Sequence, residues 1–172
     1  IRSLLGEIRG YAHSGQISEE NIKKAANTVK SVSKNYSGTK KISQRSYKNP
    51  SLYTSQNPLT NYHFSEKIKL LHNINEFTRN LDNRIVQVSV SLSGSYTAIQ
   101  ILNYDQQSCA DIRPLIRLNI QVVVEENNHR ESGGSGYGGR NLYDYWINED
   151  NWKQLAKEAL RIAVLNLKSK PS

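Results

Sequence analysis

The densest group of residues with a possible chemical role is the glycine-rich segment 132–140. Within seven consecutive positions lie five of the chain's ten glycines: Gly133, Gly134, Gly136, Gly138 and Gly139. A glycine-rich turn that opens a helix can bind phosphate, because free backbone N–H groups point at the anion. A P-loop also requires Lys-Ser or Lys-Thr after its glycines, and Arg140 and Asn141 stand there instead. The segment is therefore not expected to bind phosphate.

Two interpretations of the glycines remain. A free linker is disfavoured, because Tyr143, Tyr145 and Trp146 follow almost at once and favour burial. One interpretation is an ordinary loop between a fourth strand and the last helix. The other is a loop that packs tightly against a further domain or lines the path of an extended substrate, since glycine permits positive φ and close backbone approach. On the second interpretation, the loop is expected to be mobile in this fragment.

The residues that usually bind metals or act as nucleophiles are scattered. His13, His63 and His129 lie far apart, and His72 with Glu76 forms only an i, i+4 pair of the kind common on exposed helix faces. Cys109 is the only cysteine, so it is interpreted as a small structural residue. Since no H-E-x-x-H motif occurs either, the sequence predicts no catalytic residue, metal ligand or cofactor in this fragment.

The net charge of +8 is concentrated in the first part of the chain. Residues 1–50 carry ten Lys and Arg against three Glu, whereas residues 51–172 are nearly balanced. A basic segment can neutralise nucleic-acid phosphates, but no pattern of stacking aromatic residues accompanies it, and a solvated basic face is favoured. No apolar run is long enough to span a membrane. The absence of methionine predicts a fragment, and the single cysteine is compatible with a reducing compartment.

Hydrophobic spacing predicts three helices and a sheet. One basic helix starts after Ser18 and runs to about Lys34, and a long connector follows over residues 35–65. A second helix starts at Ser65, and the last helix starts after Asn148. Alternation predicts strands over 86–92, 96–102 and 116–124 and a fourth through Glu131, with turns at Ser93-Gly94 and Asn127-Asn128. The predicted fold class is α+β, an antiparallel sheet of about four strands with two or three packing helices.

Two arginines are predicted to share one polar face of this sheet. Arg113 and Arg117 are four residues apart, and residues at even spacing in a strand point to the same side. Two guanidinium groups there would repel each other unless carboxylates or a partner met them. Internal ion pairs with Glu125, Glu126 and Glu131 are one expectation, and docking of another domain, subunit or peptide carboxylate is the other.

A series of sequence blocks then resembles one family. The blocks, in order, are SLYTS with NPL (residues 51–59), RIVQV and LSGSY (84–96), DIRPLIRL and VVVEE (111–126), RESGGSGYGGR (130–140) and AKEALR (156–161). Together they resemble the TldD branch of the TldD/PmbA metallopeptidase family. The resemblance implies the end of a first domain over residues 1–48 and a central domain over residues 49–172.

The resemblance also implies a function for the parent protein. Members of the family are zinc peptidases that cleave unfolded peptides in the bacterial cytoplasm, and TldD acts with a sister subunit of TldE/PmbA type. Their H-E-x-x-x-H motif lies in a C-terminal domain that this sequence does not reach, so no catalytic or metal-binding residue carries over. The alternative is a basic nucleic-acid or DNA-gyrase-associated module. Residues that could dock a domain or line a substrate path are Arg113, Arg117, Gly133, Gly134, Gly136, Gly138, Gly139 and Arg140.

Overall fold

The computed structural model describes residues 1–5, 7–31, 45–46, 50–103 and 107–169. The chain divides into two compact units, Ile1–Ile42 and Ser43–Ser172. The fold class is α+β, as predicted, with one two-stranded and one four-stranded sheet among the described residues. None of the helices among the described residues is long and apolar enough to cross a membrane.

The first unit contains a hairpin and one helix. Strand β1 (Arg2–Leu5) pairs antiparallel with β2 (Ile8–Tyr11), a pairing that the sequence does not predict. Helix α1 (Glu19–Lys30) starts as predicted after Ser18, whose hydroxyl accepts a hydrogen bond from the backbone N–H of Asn21 at 3.3 Å. The predicted extension toward Lys34 falls on residues outside the described ranges.

The second unit begins with short elements and a long helix. Strand β3 (Arg45–Ser46) is followed by helix α2 (Phe64–Arg79). The predicted cap at Ser65 is wrong by two residues, because His63 is the N-cap and the Glu66 carboxylate accepts a hydrogen bond from its backbone N–H at 3.1 Å. This hydrogen bond is the half of a capping box that runs back from the third helical residue, and it gives a partner to a backbone N–H at the start of the helix.

Three long strands form most of the main sheet. Strand β5 (Gln107–Glu126) lies between β4 (Ile85–Leu102) and β6 (His129–Gly139) and pairs antiparallel with both, while β3 adds a short parallel pairing at Gln107 and Ser108. The β5–β6 turn occurs at Asn127 and Asn128 as predicted, with φ of 53° and 63°. Two successive positive φ values are typical of the tight turns that join hairpin strands.

Two sequence predictions about these strands are wrong. Ser93-Gly94 is not a turn, because β4 continues through it in one register with β5. A Cβ at Gly94 would lie 2.3 Å from the hydroxyl of Tyr143 and 3.2 Å from its ring, so glycine is required there for side-chain packing. The glycine-rich segment is not a loop either, because it forms the second half of β6, where pairing with β5 holds the backbone.

The core lies between one face of the sheet and the helices. Alternate β5 residues from Ile116 to Val124 are all buried, as the period of two predicts. They pack with Ile74 of α2, with Trp146 of a short helix α3 (Asp144–Ile147), and with helix α4 (Glu149–Leu167). The buried residues of α4 are Trp152, Ala156, Ala159 and Ala163. Because three of them are alanines, α4 can approach the sheet closely.

Candidate docking face of the sheet

The opposite face of the main sheet is polar and mostly exposed. Its register places short side chains in three neighbouring rows, each of which crosses β4, β5 and β6. We define the open face by these rows: Ser89, Gln121 and Gly134; Ser91, Asn119 and Gly136; Ser93, Arg117 and Gly138. Serine and glycine dominate, so the face is low and flat around the longer β5 side chains.

The glycines of β6 make room for two β5 side chains. A Cβ at Gly136 would lie 2.4 Å from Oδ1 of Asn119 and 3.3 Å from a terminal guanidinium nitrogen of Arg117. A Cβ at Gly138 would lie 2.8 Å from the carbonyl oxygen of Ile116 and 3.2 Å from Cβ of Arg117. These positions therefore require close approach within the sheet, and none of these glycines has φ in the left-handed region. Packing of the segment against a further domain or a substrate stays a prediction.

Arg117 lies on the central strand of the open face, in the last of its three rows, without a carboxylate partner among the described residues. Its Nε donates a hydrogen bond to Oδ1 of Asn119 at 2.8 Å. The predicted ion pairs with the hairpin glutamates are wrong: Glu125 pairs with Arg130 at 2.6 Å, Glu126 with Arg84 at 3.4 Å, and Glu131 with His129 at 3.3 Å. The three carboxylates have nearer partners at their own end of the hairpin, which leaves the charge of Arg117 exposed.

Arg113 lies on the same face, as predicted, but in a separate corner cluster. Its Nε donates a hydrogen bond to Oδ2 of Asp111 at 2.7 Å, and the Tyr53 hydroxyl donates to the same oxygen at 2.7 Å. The Arg113 guanidinium, and then the Tyr53 hydroxyl, hold the pKa of Asp111 below its usual range. The hydrogen bond to Asp111 in turn raises the pKa of Tyr53. This cluster attaches the segment after residue 50 to the sheet.

Arg140 borders the same corner and contacts β5, the strand that pairs with β6. Its guanidinium lies over the ring of Tyr53, with the central carbon 4.9 Å from the ring centre. One of its nitrogens donates to the carbonyl oxygen of Pro114 at 3.4 Å. Such stacking of a cation on an aromatic ring contributes about 0.5–1 kcal/mol at exposed sites, so Arg140 has a structural role at this position.

Two of the five glycines face the core rather than the open face. Gly133 and Gly139 pair with Val122 and Ile116 and so lie on the covered side. A Cβ at Gly133 would lie 2.2 Å from the backbone nitrogen of Ala163 and 2.3 Å from the carbonyl oxygen of Ala159. Gly133 is thus the position at which β6 and α4 touch backbone to backbone.

The structure divides the sequence-predicted site residues into three groups. The open face carries Arg117, Gly134, Gly136 and Gly138. The corner cluster contains Arg113 and Arg140. The covered side contains Gly133 and Gly139. Sequence reasoning missed Tyr53 and Asp111. The spacing of Asp111 and Arg113 could have indicated one of them, because residues i and i+2 of a strand lie on the same face.

The described residues do not fit a metal ion. No three His, Cys, Asp or Glu side chains among them gather closely enough to bind one. Zinc in proteins is normally held by three or four such donors. Among the described residues, neither the open face nor the corner cluster therefore contains such a set of donors.

The chain matches one family along most of its length. Residues 57–167 match the PmbA/TldA metallopeptidase central domain. A metalloprotease TldD homologue from Buchnera aphidicola (Acyrthosiphon pisum) is 36% identical over 99% of the chain, and one from Haemophilus influenzae is 38% identical over 97%. The chain spans only 36% of the length of each of these relatives.

Two solved structures share the fold. A protein from Thermotoga maritima, described as a proposed modulator of a DNA gyrase, has a TM-score of 0.68 at 17% identity. A protein from Bacteroides thetaiotaomicron with a similar description has a TM-score of 0.69 at 15% identity. The likeness covers 99% of this chain in both cases, and 38% and 40% of the two solved chains.

The sheet with its covered core and open polar face is thus the central domain of a class of metallopeptidases. Within that class, the chain belongs to the TldD/PmbA family, and the relatives it matches are named for TldD.

Proposed function

We propose that this chain is the noncatalytic first part of a longer TldD-type zinc metallopeptidase that degrades unfolded peptides in the bacterial cytoplasm. On this proposal, residues 1–48 end a first domain, residues 49–172 form the central domain, and zinc is held by a catalytic domain beyond them. The support is the match of residues 57–167 to the family's central domain in a chain that spans 36% of its relatives.

The open face is proposed to support substrate positioning and subunit assembly. The observation that carries this proposal is Arg117, an exposed guanidinium held by Asn119 at 2.8 Å and without a carboxylate partner among the described residues. Its Nε is already oriented by this hydrogen bond, so less side-chain entropy is lost when a carboxylate pairs with the remaining nitrogens. Candidate partners are the catalytic domain, a sister subunit of TldE/PmbA type, and the carboxylates of a bound peptide.

The experiment is Arg117→Ala in the full-length protein, assayed with its sister subunit. Arg130→Ala is the matched control, because Arg130 projects from the same face but already pairs with Glu125. We expect Arg117→Ala, and not the control, to weaken assembly or peptide cleavage by about tenfold, the size of one charge-assisted hydrogen bond. Wild-type assembly and cleavage by Arg117→Ala would remove the docking role.

The second proposed function is a basic module associated with nucleic acid or DNA gyrase. Its support is the net charge of +8 and the description of the two structural relatives as proposed gyrase modulators. DNA titrations at increasing salt separate the two functions, because phosphate contacts make affinity fall steeply with salt. Peptide cleavage assays with added zinc complete the comparison. On the first proposal, the isolated chain is expected to cleave no peptide, and its affinity for DNA is not expected to fall steeply with salt.

A further inference from the structure

A cleft lies on the covered side of the sheet, between the first turns of α2 and the start of α4. Its volume is about 350 Å³, within the range of roughly 300–1,000 Å³ that is usual for small-ligand sites. Leu92 of β4 and Tyr143, the residue before α3, also line it. All of these residues belong to the second unit, so a ligand would meet one compact body.

Apolar side chains form one part of the lining. Leu70, Leu92 and Trp152 belong to the core or pack against it. The ring of Trp152 is held edge-on against Phe77, with the ring centres 5.3 Å apart. Ile147, in contrast, is 54% exposed. A ligand with an aliphatic or aromatic group would remove this apolar surface from water, which favours binding.

The charge of both carboxylates that line the cleft is already compensated. Glu149 forms an ion pair with Lys153. Glu66 accepts a hydrogen bond from the backbone N–H of His63 at 3.1 Å. It also lies in the first turn of α2, where the helix dipole favours negative charge. A cationic ligand would therefore have to share carboxylates that already have partners.

The lysines that line the cleft have no such compensation. Among the described residues, neither Lys67 nor Lys69 has a carboxylate partner. The Lys67 ammonium donates a hydrogen bond to the carbonyl oxygen of Leu59 at 3.2 Å, and it lies 4.5 Å from the centre of the Tyr143 ring. Because an ammonium group can donate further hydrogen bonds, Lys67 is positioned by these contacts and still able to bind an anion.

Tyr143 adds an unpaired donor beside Lys67. It is only 5% exposed, and its hydroxyl has no hydrogen-bond partner in the part of the chain that the structure describes. Burial raises the pKa of Tyr143, so the hydroxyl keeps its proton and remains a donor. A buried hydroxyl without a partner is unfavourable, and an acceptor on a ligand would relieve this cost.

We infer that this cleft binds a ligand in which an apolar group lies next to a carboxylate. The apolar group covers Ile147, and the carboxylate accepts hydrogen bonds from Lys67 and from the Tyr143 hydroxyl. Lys69, which is exposed, adds a second positive charge. The choice of a carboxylate follows from charge complementarity, because the unpaired groups of the cleft are donors. Two kinds of molecule carry this chemistry: the C-terminal residue of a peptide and a free apolar carboxylic acid.

The test is a titration of this chain with N-acetyl-leucine, followed by two-dimensional NMR. We expect the amide signals of Leu70, Asn73 and Ile147 to shift, with a dissociation constant on the order of 1 mM for a ligand of this size. N-acetyl-leucine amide lacks the negative charge and is expected to bind about tenfold more weakly. Leucine amide, which carries a cation and no carboxylate, is expected to bind no better than that neutral probe.

Variants then identify the groups that bind the carboxylate. Lys67→Gln with Lys69→Gln is expected to weaken N-acetyl-leucine binding about tenfold. Lys157→Gln with Lys168→Gln is the matched control, because it removes the same charge from exposed positions outside the cleft, and it is expected to leave binding unchanged. Tyr143→Phe is expected to weaken binding about fivefold without lowering the urea midpoint, since the hydroxyl has no partner in the free chain.

Several outcomes would overturn the inference. They are equal binding of N-acetyl-leucine and its amide, tighter binding of leucine amide, shifts outside the cleft, and equal losses in the two lysine pairs. A Tyr143→Phe variant with a lower urea midpoint and unchanged binding would give the hydroxyl a structural role only.

Two further probes distinguish the sources of the carboxylate. Tighter binding of an acetylated tripeptide that ends in leucine assigns the cleft to peptide C-termini, and tighter binding of isocaproate assigns it to free carboxylic acids. The inference concerns binding by residues of this chain and does not depend on the proposed peptidase function.

Discussion

The backbone contact between β6 and α4 predicts a large cost for one methyl group. In Gly133→Ala, the new Cβ would lie 2.2 Å from the Ala163 nitrogen and 2.3 Å from the Ala159 carbonyl oxygen, whereas ordinary contact begins at 3.4 Å. The helix would have to withdraw by about 1 Å, which loses a quarter to half of the dispersion energy of its contacts. Both clashing atoms belong to the backbone, so no side-chain rotation can relieve the overlap.

We expect Gly133→Ala to lower the free energy of unfolding by about 3 kcal/mol, the upper part of the usual range for overpacking. That is a substantial share of the roughly 5–15 kcal/mol by which domains are stable. Urea unfolding followed by tryptophan fluorescence measures it, because Trp146 and Trp152 are both buried in this core. A shift in midpoint at unchanged slope reports stability itself.

Gly134→Ala is the matched control on the same strand. Its new Cβ would meet nothing nearer than the Ile120 carbonyl oxygen at 3.6 Å, and its backbone is outside the left-handed region. We expect a change within about 0.5 kcal/mol. Equal midpoints for the two variants would refute the close-contact reasoning. Adding Ala163→Gly to Gly133→Ala should not restore stability, because it removes a side chain and leaves the clashing nitrogen in place.

Two further predictions concern single contacts. Gly94→Ala is expected to lower the free energy of unfolding by about 1–3 kcal/mol, because its Cβ would lie 2.3 Å from the Tyr143 hydroxyl. Adding Tyr143→Phe should recover part of that loss. Purely additive changes in unfolding free energy in the double variant would argue against this contact. Asp82 has its pKa lowered to about 2 by hydrogen bonds from the Arg84 side chain and backbone, so its stabilisation is present above about pH 4 and is lost as pH falls toward 2. Asp82→Asn should therefore lower the free energy of unfolding by about 1 kcal/mol at neutral pH, after allowance for solvent screening, and by almost nothing at pH 2. Urea unfolding of the two proteins at both pH values measures this. A difference that does not change with pH would contradict the stabilising role of the Asp82–Arg84 interaction.

Repeating local patterns were predictable from the sequence. Alternation identified β5, and its five core-facing residues from Ile116 to Val124 are all buried. Asn148 was predicted as a cap, and its side chain accepts a hydrogen bond from the Asp150 backbone N–H at 3.1 Å. In these places the local preference and the tertiary packing agree, which is why a single sequence is informative there.

The errors occur where tertiary contact overrides the local preference of glycine. The pair Ser93-Gly94 is typical of a turn, but glycine occurs there because the Tyr143 side chain occupies the space of a Cβ at position 94. The run from Gly133 to Gly139 has little intrinsic tendency to form a strand, yet its pairing with β5 is set by the hairpin at Asn127. The separation of Arg117 from Arg113 likewise depends on which carboxylates the fold brings near, and spacing alone does not specify that.

The two-residue turn at Asn127 and Asn128 limits how this part of the gene can change length. Because the turn fixes the register of β6 on β5, a codon gained or lost within it would shift every downstream β6 residue to the opposite face of the sheet. Tyr137, which stacks on Tyr145 at 5.4 Å, would then leave the covered side, and a glycine would take its place opposite Leu118. Insertions and deletions at this hairpin should therefore be tolerated only in steps of two codons.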